Sequence, residues 1–157
     1  MDDLRTRINE FLARHTTLTL ATIGPEGPQA AALFYAHDAA LNLYFLSEPS
    51  SRHARNLAAD PRCAVTIQAD GQDWRLITGL QIEGSAQVLT SPAEWAIAYD
   101  VYRAKFPFVG EAWQGKGMAA PTLSGPLARS RFYRLTPRWL RLIDNARGFG
   151  HKDELRL

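Results

Sequence analysis

The sequence predicts a mainly β fold of the α+β class, in which about six antiparallel strands form a closed or nearly closed barrel flanked by helices. Short runs with strand composition recur along the chain and are separated by tight-turn sequences such as Gly24-Pro25-Glu26-Gly27. Only three segments combine the apolar spacing and the caps that are typical of helices. The 157 residues contain no internal repeat and no linker, so we expect a single domain over residues 1–157.

The N-terminal part is predicted to be one helix followed by three strands. Asp3–His15 has apolar residues at helical spacing, with Asp2 or Asp3 as the cap. The strands that follow are Thr17–Ile23, Gln29–Ala36 and Leu41–Ser47. Because tight turns join them, we expect an antiparallel meander.

A short helix and two further strands come next. The helix begins near Ser51 and ends at Asp60-Pro61, since proline cannot continue it. A strand over Cys63–Ala69 follows, and then a long strand from about Arg75 to Leu89, in which apolar and polar residues alternate.

The C-terminal third contains the third helix and the longest irregular segment. Ser91-Pro92 starts a helix with a cap and a proline in its first turn, and its aromatic stripe is typical of a core face. Phe108–Pro126 has no clear periodicity and is predicted to be a long loop. Arg131–Leu135 and Trp139–Ile143 are predicted to form the last strand or strand pair, broken at Thr136-Pro137. The chain then ends in a polar, glycine-rich tail over residues 144–152.

Composition excludes several classes of protein. A net charge of +2 gives no indication of nucleic acid binding, and the chain has no apolar run long enough to span a membrane and no signal peptide, so we expect a cytoplasmic protein. The single cysteine, Cys63, lies in an apolar strand and is interpreted as a buried structural thiol. Four histidines and one cysteine have no metal-ligand spacing, and no serine lies in a nucleophile-elbow motif.

The start of the second helix is a candidate anion site. Free backbone N–H groups, the positive end of the helix dipole, two serine hydroxyls, Arg52 and His53 coincide there, a combination that suits a phosphate. The alternative is an ordinary serine cap with an arginine in solvent. These residues alone leave both interpretations open.

The order of these motifs resembles a known family. An amphipathic helix, a strand ending LYFLS, the helix start SSRHARNL, then DPR, LQIEG and the tail DNARGFGHKDEL follow one another. This order is similar to that of the pyridoxamine 5'-phosphate oxidase-like proteins, whose fold is a six-stranded split β-barrel that binds FMN. The resemblance covers nearly the whole chain and is closest to a small bacterial subgroup of flavoproteins.

The resemblance implies a homodimer with two FMN sites at its interface. On matching positions, Ser51, Arg52 and His53 would hold the phosphate, and Leu46 and Ser47 would lie beside the ring and ribityl chain. The residues implied to line the ring are Ala31, Ala32, Leu33 and Phe34. Gln81 would face the ring or the phosphate, and Trp139 with the tail over residues 145–151 would close the site from either subunit.

The resemblance also limits the function. The chain ends FGHKDELRL and lacks the arginine- and histidine-bearing motif with which the true vitamin oxidases grip the vitamin phosphate. We therefore expect an FMN-dependent oxidoreductase acting on another small substrate, with no catalytic side chain identified. The alternatives are a non-catalytic module that binds flavin or haem, and a deazaflavin-dependent reductase on the same fold.

Overall fold

The structure, a computed structural model, describes residues 3–111, 113–114 and 122–157. The helices are α1 (Leu4–Arg14), α2 (Arg52–Ala59), α3 (Pro92–Lys105) and α4 (Phe108–Glu111). The strands are β1 (Thr17–Gly24), β2 (Gly27–Phe34), β3 (Ala36–His37), β4 (Leu43–Ser47), β5 (Arg62–Gln68), β6 (Thr78–Val88), β7 (Trp113–Gln114), β8 (Thr122–Leu123), β9 (Arg131–Asp144) and β10 (Lys152–Arg156).

One antiparallel sheet organises the chain. Its order is β2-β1-β5-β6-β9-β4-β3, and β10 pairs with the second half of β9. The sheet curls around a core of large apolar side chains to which α1 contributes Ile8, Phe11 and Leu12. This is the predicted split barrel with flanking helices, but in the described residues the main sheet has eight strands rather than about six.

The predicted meander is wrong in its third strand. β1 and β2 form the expected hairpin, but β4 pairs with β9 and not with β2. After Tyr35 the chain leaves β1, and β3 pairs with β4 through two residue pairs, Ala36 with Tyr44 and His37 with Leu43. β2 and β3 are consecutive in the sequence, yet they are the first and the last strands in the order of the sheet.

The predicted break at Thr136-Pro137 is also wrong, because β9 runs without interruption from Arg131 to Asp144. The proline lacks an N–H and is accommodated by a shift of register between Glu83 and Gly84 of β6. Gly84 lies opposite Pro137, and a Cβ there would fall far inside van der Waals distance of the Thr136 carbonyl oxygen.

α3 covers the outer face of β4 and β9 and forms a second core. Its residues Trp95, Tyr102 and Phe106 are buried, as the aromatic stripe predicted; Trp95 and Tyr102 contact Phe132, and Phe106 contacts Tyr102. The segment predicted as a long loop contains α4 and the short pair β7–β8, while residues 115–121 lie outside the described residues. Asp2, the alternative cap of α1, also lies outside them.

The core and the C-terminus bear on two smaller predictions. Cys63 is buried as predicted, and burial raises the pKa of its thiol to about 12. The C-terminal tail is not irregular throughout, since β10 adds a strand to β9. Among the described residues, none of the helices is both long enough and apolar enough to span a membrane.

The register shift between β6 and β9, where Gly84 lies opposite Pro137, forms a β-bulge. This bulge gives a stability prediction with a matched control in the same strand as Gly84. We expect Gly84→Ala to lower the free energy of unfolding by about 2 kcal/mol or more, because the added methyl meets rigid backbone. Gly79→Ala places its methyl no closer than 3.7 Å to another atom, so it should change stability by less than about 1 kcal/mol. Urea unfolding of both variants measures the difference, and equal effects would contradict this account of the bulge.

Candidate functional site

The pairing between the β2–β3 segment and β4 stops after two residue pairs and leaves a gap in the barrel wall. Continuing the observed register would set Phe34 opposite Leu46 and Leu33 opposite Ser47, but no ladder joins them. β2 and β4 remain neighbours along this gap. Four of the residues that the resemblance assigned to a cofactor therefore lie on its two sides.

The first turn of α2 lies at the end of β4, where the gap ends. Ser51 caps the helix, and its Oγ accepts a hydrogen bond of 3.3 Å from the Ala54 N–H. His53 turns back towards β4, and its Nε2 lies 2.7 Å from Ser47 Oγ and 3.2 Å from Ser51 Oγ. Three of the predicted phosphate and ribityl residues thus form one hydrogen-bonded group.

The imidazole in this group is buried. His53 is 9% exposed and Ser47 is 6% exposed. Burial lowers the pKa of His53 below its ordinary value of 6.5, so the ring is neutral at neutral pH. A positive charge on His53 therefore requires more acidic conditions than an ordinary imidazole does.

Arg52 points away from this group to the turn between β1 and β2. Its Nη2 donates to the carbonyl oxygens of Glu26 at 3.1 Å and Gly27 at 3.4 Å. The Glu26 carboxylate lies 3.5 Å from Nε, which is buried and makes no hydrogen bond. The sequence left two interpretations of Arg52 open, an anion ligand or an arginine in solvent, and neither included a contact with this turn. In the structure the turn holds the guanidinium at the mouth of the gap.

β2 presents an apolar strip to solvent beside Arg52. Its residues alternate, and the outward-facing members Pro28, Ala30, Ala32 and Phe34 are all exposed and apolar. Phe34 is 52% exposed and contacts Phe106 of α3 at a ring distance of 5.3 Å. The other two predicted ring residues, Ala31 and Leu33, are half-buried and face inwards.

Gln81 and Trp139 lie on the same outer face of the sheet, but they are not at the start of α2. The pairings Ala32–Thr19, Thr19–Thr66 and Thr66–Gln81 form one cross-strand row. Three strand steps separate Ala32 from Gln81, or about 14 Å. Gln81, Trp139 and Arg141 line a separate shallow pocket of about 520 Å³, where Arg141 lies over the Trp139 ring.

The tail implied to close the site forms a well-connected loop at the end of β6 and β9. Asn145 donates through Nδ2 to the Trp74 carbonyl at 2.7 Å and accepts from the Gly150 N–H. Phe149 is 83% exposed and contacts the Trp74 ring edge to face. On one chain this loop lies with Gln81 and Trp139 rather than with the gap.

Sequence reasoning missed two residues that position this site. Glu26 contacts Arg52, and Asn56 of α2 donates from Nδ2 to Thr22 Oγ1 at 3.1 Å. Asn56 also packs against Gly24 so closely that a Cβ there would overlap its side-chain amide. The turn was recognised from its glycines and proline, but no local signal indicated that α2 would pack on it.

The described residues thus define a split β-barrel with a gap in its wall and a helix start at the end of that gap. A profile for the pyridoxamine 5'-phosphate oxidase family matches residues 4–144, and the chain belongs to this family. A UPF0306 protein of Yersinia pseudotuberculosis is 29% identical over 146 residues, which cover 92% of this chain and 88% of the relative.

Solved structures share the fold. A heme binding protein from Mycobacterium smegmatis superposes with a TM-score of 0.73 and 19% identity, covering 99% of this chain and 59% of the other. A pyridoxinephosphate oxidase-family protein from Clostridium acetobutylicum, related to general stress protein 26, gives a TM-score of 0.67 and 14% identity, covering 100% and 96% of the two chains. At these identities the likeness shows the fold alone.

The buried imidazole gives a prediction of pH-dependent stability. The folded-state pKa of His53 is lowered, so the unfolded chain binds the proton more readily. The stability that comes from keeping the ring neutral is complete above about pH 6.5 and is lost as the pH falls towards the lowered folded-state pKa.

We expect urea midpoints of the wild type to fall between pH 7 and pH 5, and His53→Asn to reduce that fall. His37→Asn is the control for the other histidine with a lowered pKa, which results from burial and from the nearby Lys105 charge. Identical pH profiles for the wild type and His53→Asn would contradict a buried neutral imidazole.

Proposed function

We propose that the protein binds FMN in the gap between β2 and β4 and is an FMN-dependent oxidoreductase acting on a small substrate. The observation that carries the proposal is the coincidence of this gap with the start of α2 at one end and with the apolar strip of β2 along one side. A flavin needs both features, because a planar ring is joined to a dianionic tail.

The residues present fit such a group. The first N–H groups of α2 and the positive end of its dipole suit a phosphate. Arg52 has five N–H donors, of which the carbonyls of the turn occupy Nη2, while its buried Nε lacks a hydrogen bond. Ser47, Ser51 and His53 can exchange donor and acceptor roles through the shared Nε2.

The small side chains of the strip suit the ring. Ala30 and Ala32 leave the face of β2 flat, and Phe34 bounds it at one end. When bound, the flavin supplies the hydride or electron chemistry. The residues of this chain would anchor the phosphate, orient the ring along β2 and restrict solvent access through Leu46 and Phe34.

A second copy of the chain completes this proposal. Counted across the sheet from β2, Gln81 lies three strands and Trp139 four strands from the strip, and Trp139 is in the half of β9 that pairs with β10 rather than with β4. A two-fold axis along β5 would set β2 of one copy against β9 of its partner. The small residues of the strip would then face the larger side chains around Trp139, as an isologous interface requires.

Haem is the second candidate ligand, favoured by the likeness to the mycobacterial heme binding protein. A haem iron is held by an axial His, Cys, Met or Tyr side chain. Nε2 of His53, at the end of the gap, is engaged by two serines, whereas Nε2 of His15 makes no hydrogen bond to a described residue. A deazaflavin would use the same gap as FMN, and mass spectrometry of the released cofactor separates the three.

The FMN proposal predicts opposite effects for two substitutions at one contact. Arg52→Ala should weaken FMN binding by about tenfold or more, because it removes the guanidinium at the gap. Glu26→Gln should strengthen binding by a few-fold, because it removes a carboxylate that competes for Arg52. Arg103→Ala on α3 is the control, since its partner is Asp100 on the same helix.

Flavin fluorescence quenching measures these affinities. The proposal fails if the wild type does not take up FMN at micromolar concentration. It also fails if Arg52→Ala binds FMN as tightly as Arg103→Ala does.

The assembly proposal predicts that a charge in the middle of the outer face prevents association. Ala64 is exposed on β5, and Ala64→Arg should convert a dimer into a monomer in sedimentation velocity experiments. Ala59→Arg, an equally exposed alanine at the end of α2, should leave the dimer intact. A monomeric wild type at high concentration would refute the two-copy site.

A further inference from the structure

A second pocket lies on the outer face beside the flavin strip and is lined almost entirely by polar groups. It has a volume of about 420 Å³, and its lining includes Arg14, His15, Thr17, Thr19, Thr66 and Asp70. Thr19 pairs with both Ala32 and Thr66, so the pocket borders the strip by one strand. Its three strand threonines place hydroxyl groups side by side on one face.

The side chains of the two charged residues of this pocket, Arg14 and Asp70, form no ion pair or hydrogen bond with another described residue. Other charges near the same face are paired, for example Arg138 with Glu83 and Arg141 with Glu154. Arg14 and Asp70 flank the same cavity without bonding to each other. The pocket therefore has one cation and one anion in its lining that a bound ligand could pair with.

His15 of the same pocket is held in place by Phe11. Its ring stacks on the buried Phe11 at 4.1 Å, and its Nδ1 lies 2.8 Å from the Phe11 carbonyl oxygen. A carbonyl only accepts, so Nδ1 carries the proton and Nε2 has the lone pair in the neutral ring. Lys105 fixes the backbone by donating to the His15 carbonyl. Nε2 makes no hydrogen bond to a described residue.

We propose that this pocket binds a small zwitterion of the α-amino acid class, with its carboxylate on Arg14, its ammonium on Asp70 and its polar side chain among the threonine hydroxyls and His15 Nε2. One charge of each sign disfavours a dianion such as a phosphate ester. The polar lining gives little apolar surface to a hydrophobic ligand. The volume accommodates an amino acid with a polar side chain.

Binding of this ligand does not require a flavin. If FMN also binds along β2, the ligand would lie about one strand spacing from the ring, which would make it the amine substrate of that site. Only this last step depends on the proposed function, and the two proposals can be tested separately on the same protein.

The test uses three probes of nearly equal size that differ in charge. L-serine has both charges, serinol lacks the carboxylate and glycerate lacks the ammonium. Calorimetry or ligand-observed NMR at neutral pH should show that the wild type binds serine with at least about tenfold preference over serinol and over glycerate.

Two substitutions should each remove one preference and keep the other. Arg14→Gln should abolish the preference for serine over serinol and retain that over glycerate. Asp70→Asn should do the reverse. Arg147→Gln, which changes an exposed arginine in the loop after β9, should keep both preferences. Arg14 and Asp70 are exposed, so neither change threatens folding.

The pocket proposal is overturned if serine does not bind at millimolar concentration, if the three probes bind equally, or if the two substitutions fail to separate the preferences. An FMN titration run in parallel reports on the flavin proposal alone. Selective serine binding without FMN uptake would support the pocket and refute the flavoprotein assignment. FMN uptake without serine binding would do the opposite.

Discussion

The site depends on a change of partner within one extended segment, residues 27–37, which pairs first with one strand and then with a strand on its other side. Its first part pairs with β1, and its last two residues pair with β4. The turn that follows sets this register, because Asp38 accepts hydrogen bonds from the Asn42 backbone and side chain and from the Tyr44 hydroxyl. Leu41 adopts a left-handed φ of 72° to enter the core there.

That turn is strained, and burial offsets the strain. A left-handed leucine costs about 1–2 kcal/mol, and full burial of its side chain contributes about 2 kcal/mol. A longer β3–β4 ladder would extend the pairing to Phe34–Leu46 and Leu33–Ser47 and close the barrel wall up to the start of α2. The short ladder is therefore the structural origin of the gap.

The contact between Arg52 and Glu26 positions the cation without neutralising it. The side chains are 34% and 72% exposed, and ion pairs at such exposure contribute about 0–1 kcal/mol. The carbonyls of Glu26 and Gly27 orient the guanidinium through hydrogen bonds. A dianion at the helix start would have a stronger attraction for Arg52 than this one exposed carboxylate, so the observed pairing is compatible with ligand exchange.

Sequence reasoning reached the local elements and failed where pairing is long-range. The caps at Ser51 and Ser91 and the Asp60-Pro61 helix end are short-range signals, and the structure confirms all of them. The pairing of β4 with β9 joins residues about ninety positions apart. No short-range pattern near Leu43 indicates that β9 is its partner. Pro137 suggested a break because the compensating Gly84 lies on another strand.

The same limit applied at the site. Ser47, Ser51 and His53 were identified together since a strand end and a helix start are adjacent in sequence. Burial of the His53 ring, and hence its lowered pKa, comes from tertiary packing that no local pattern encodes. Strand alternation predicts that Ala31 and Leu33 face one side of β2 and that Ala32 and Phe34 face the other. Which of these two sides is exposed depends on how the sheet is ordered and packed.

The two sides of the outer face of the sheet differ in the way that the proposed dimer requires. Its β2 side is small and apolar, while its β6–β9 side carries large side chains whose charges are compensated within the chain, Arg138 by Glu83 and Arg141 by Glu154. Burying compensated pairs costs less than burying isolated charges, since each charge keeps its partner. In the proposed dimer, contact with the uncharged strip would leave the pairs Arg138–Glu83 and Arg141–Glu154 intact. Bringing like halves together would instead place the large side chains of both copies on the same side of the interface. The asymmetry of the face is therefore an argument for the proposed arrangement, in which each β2 strip would lie against its partner's β9.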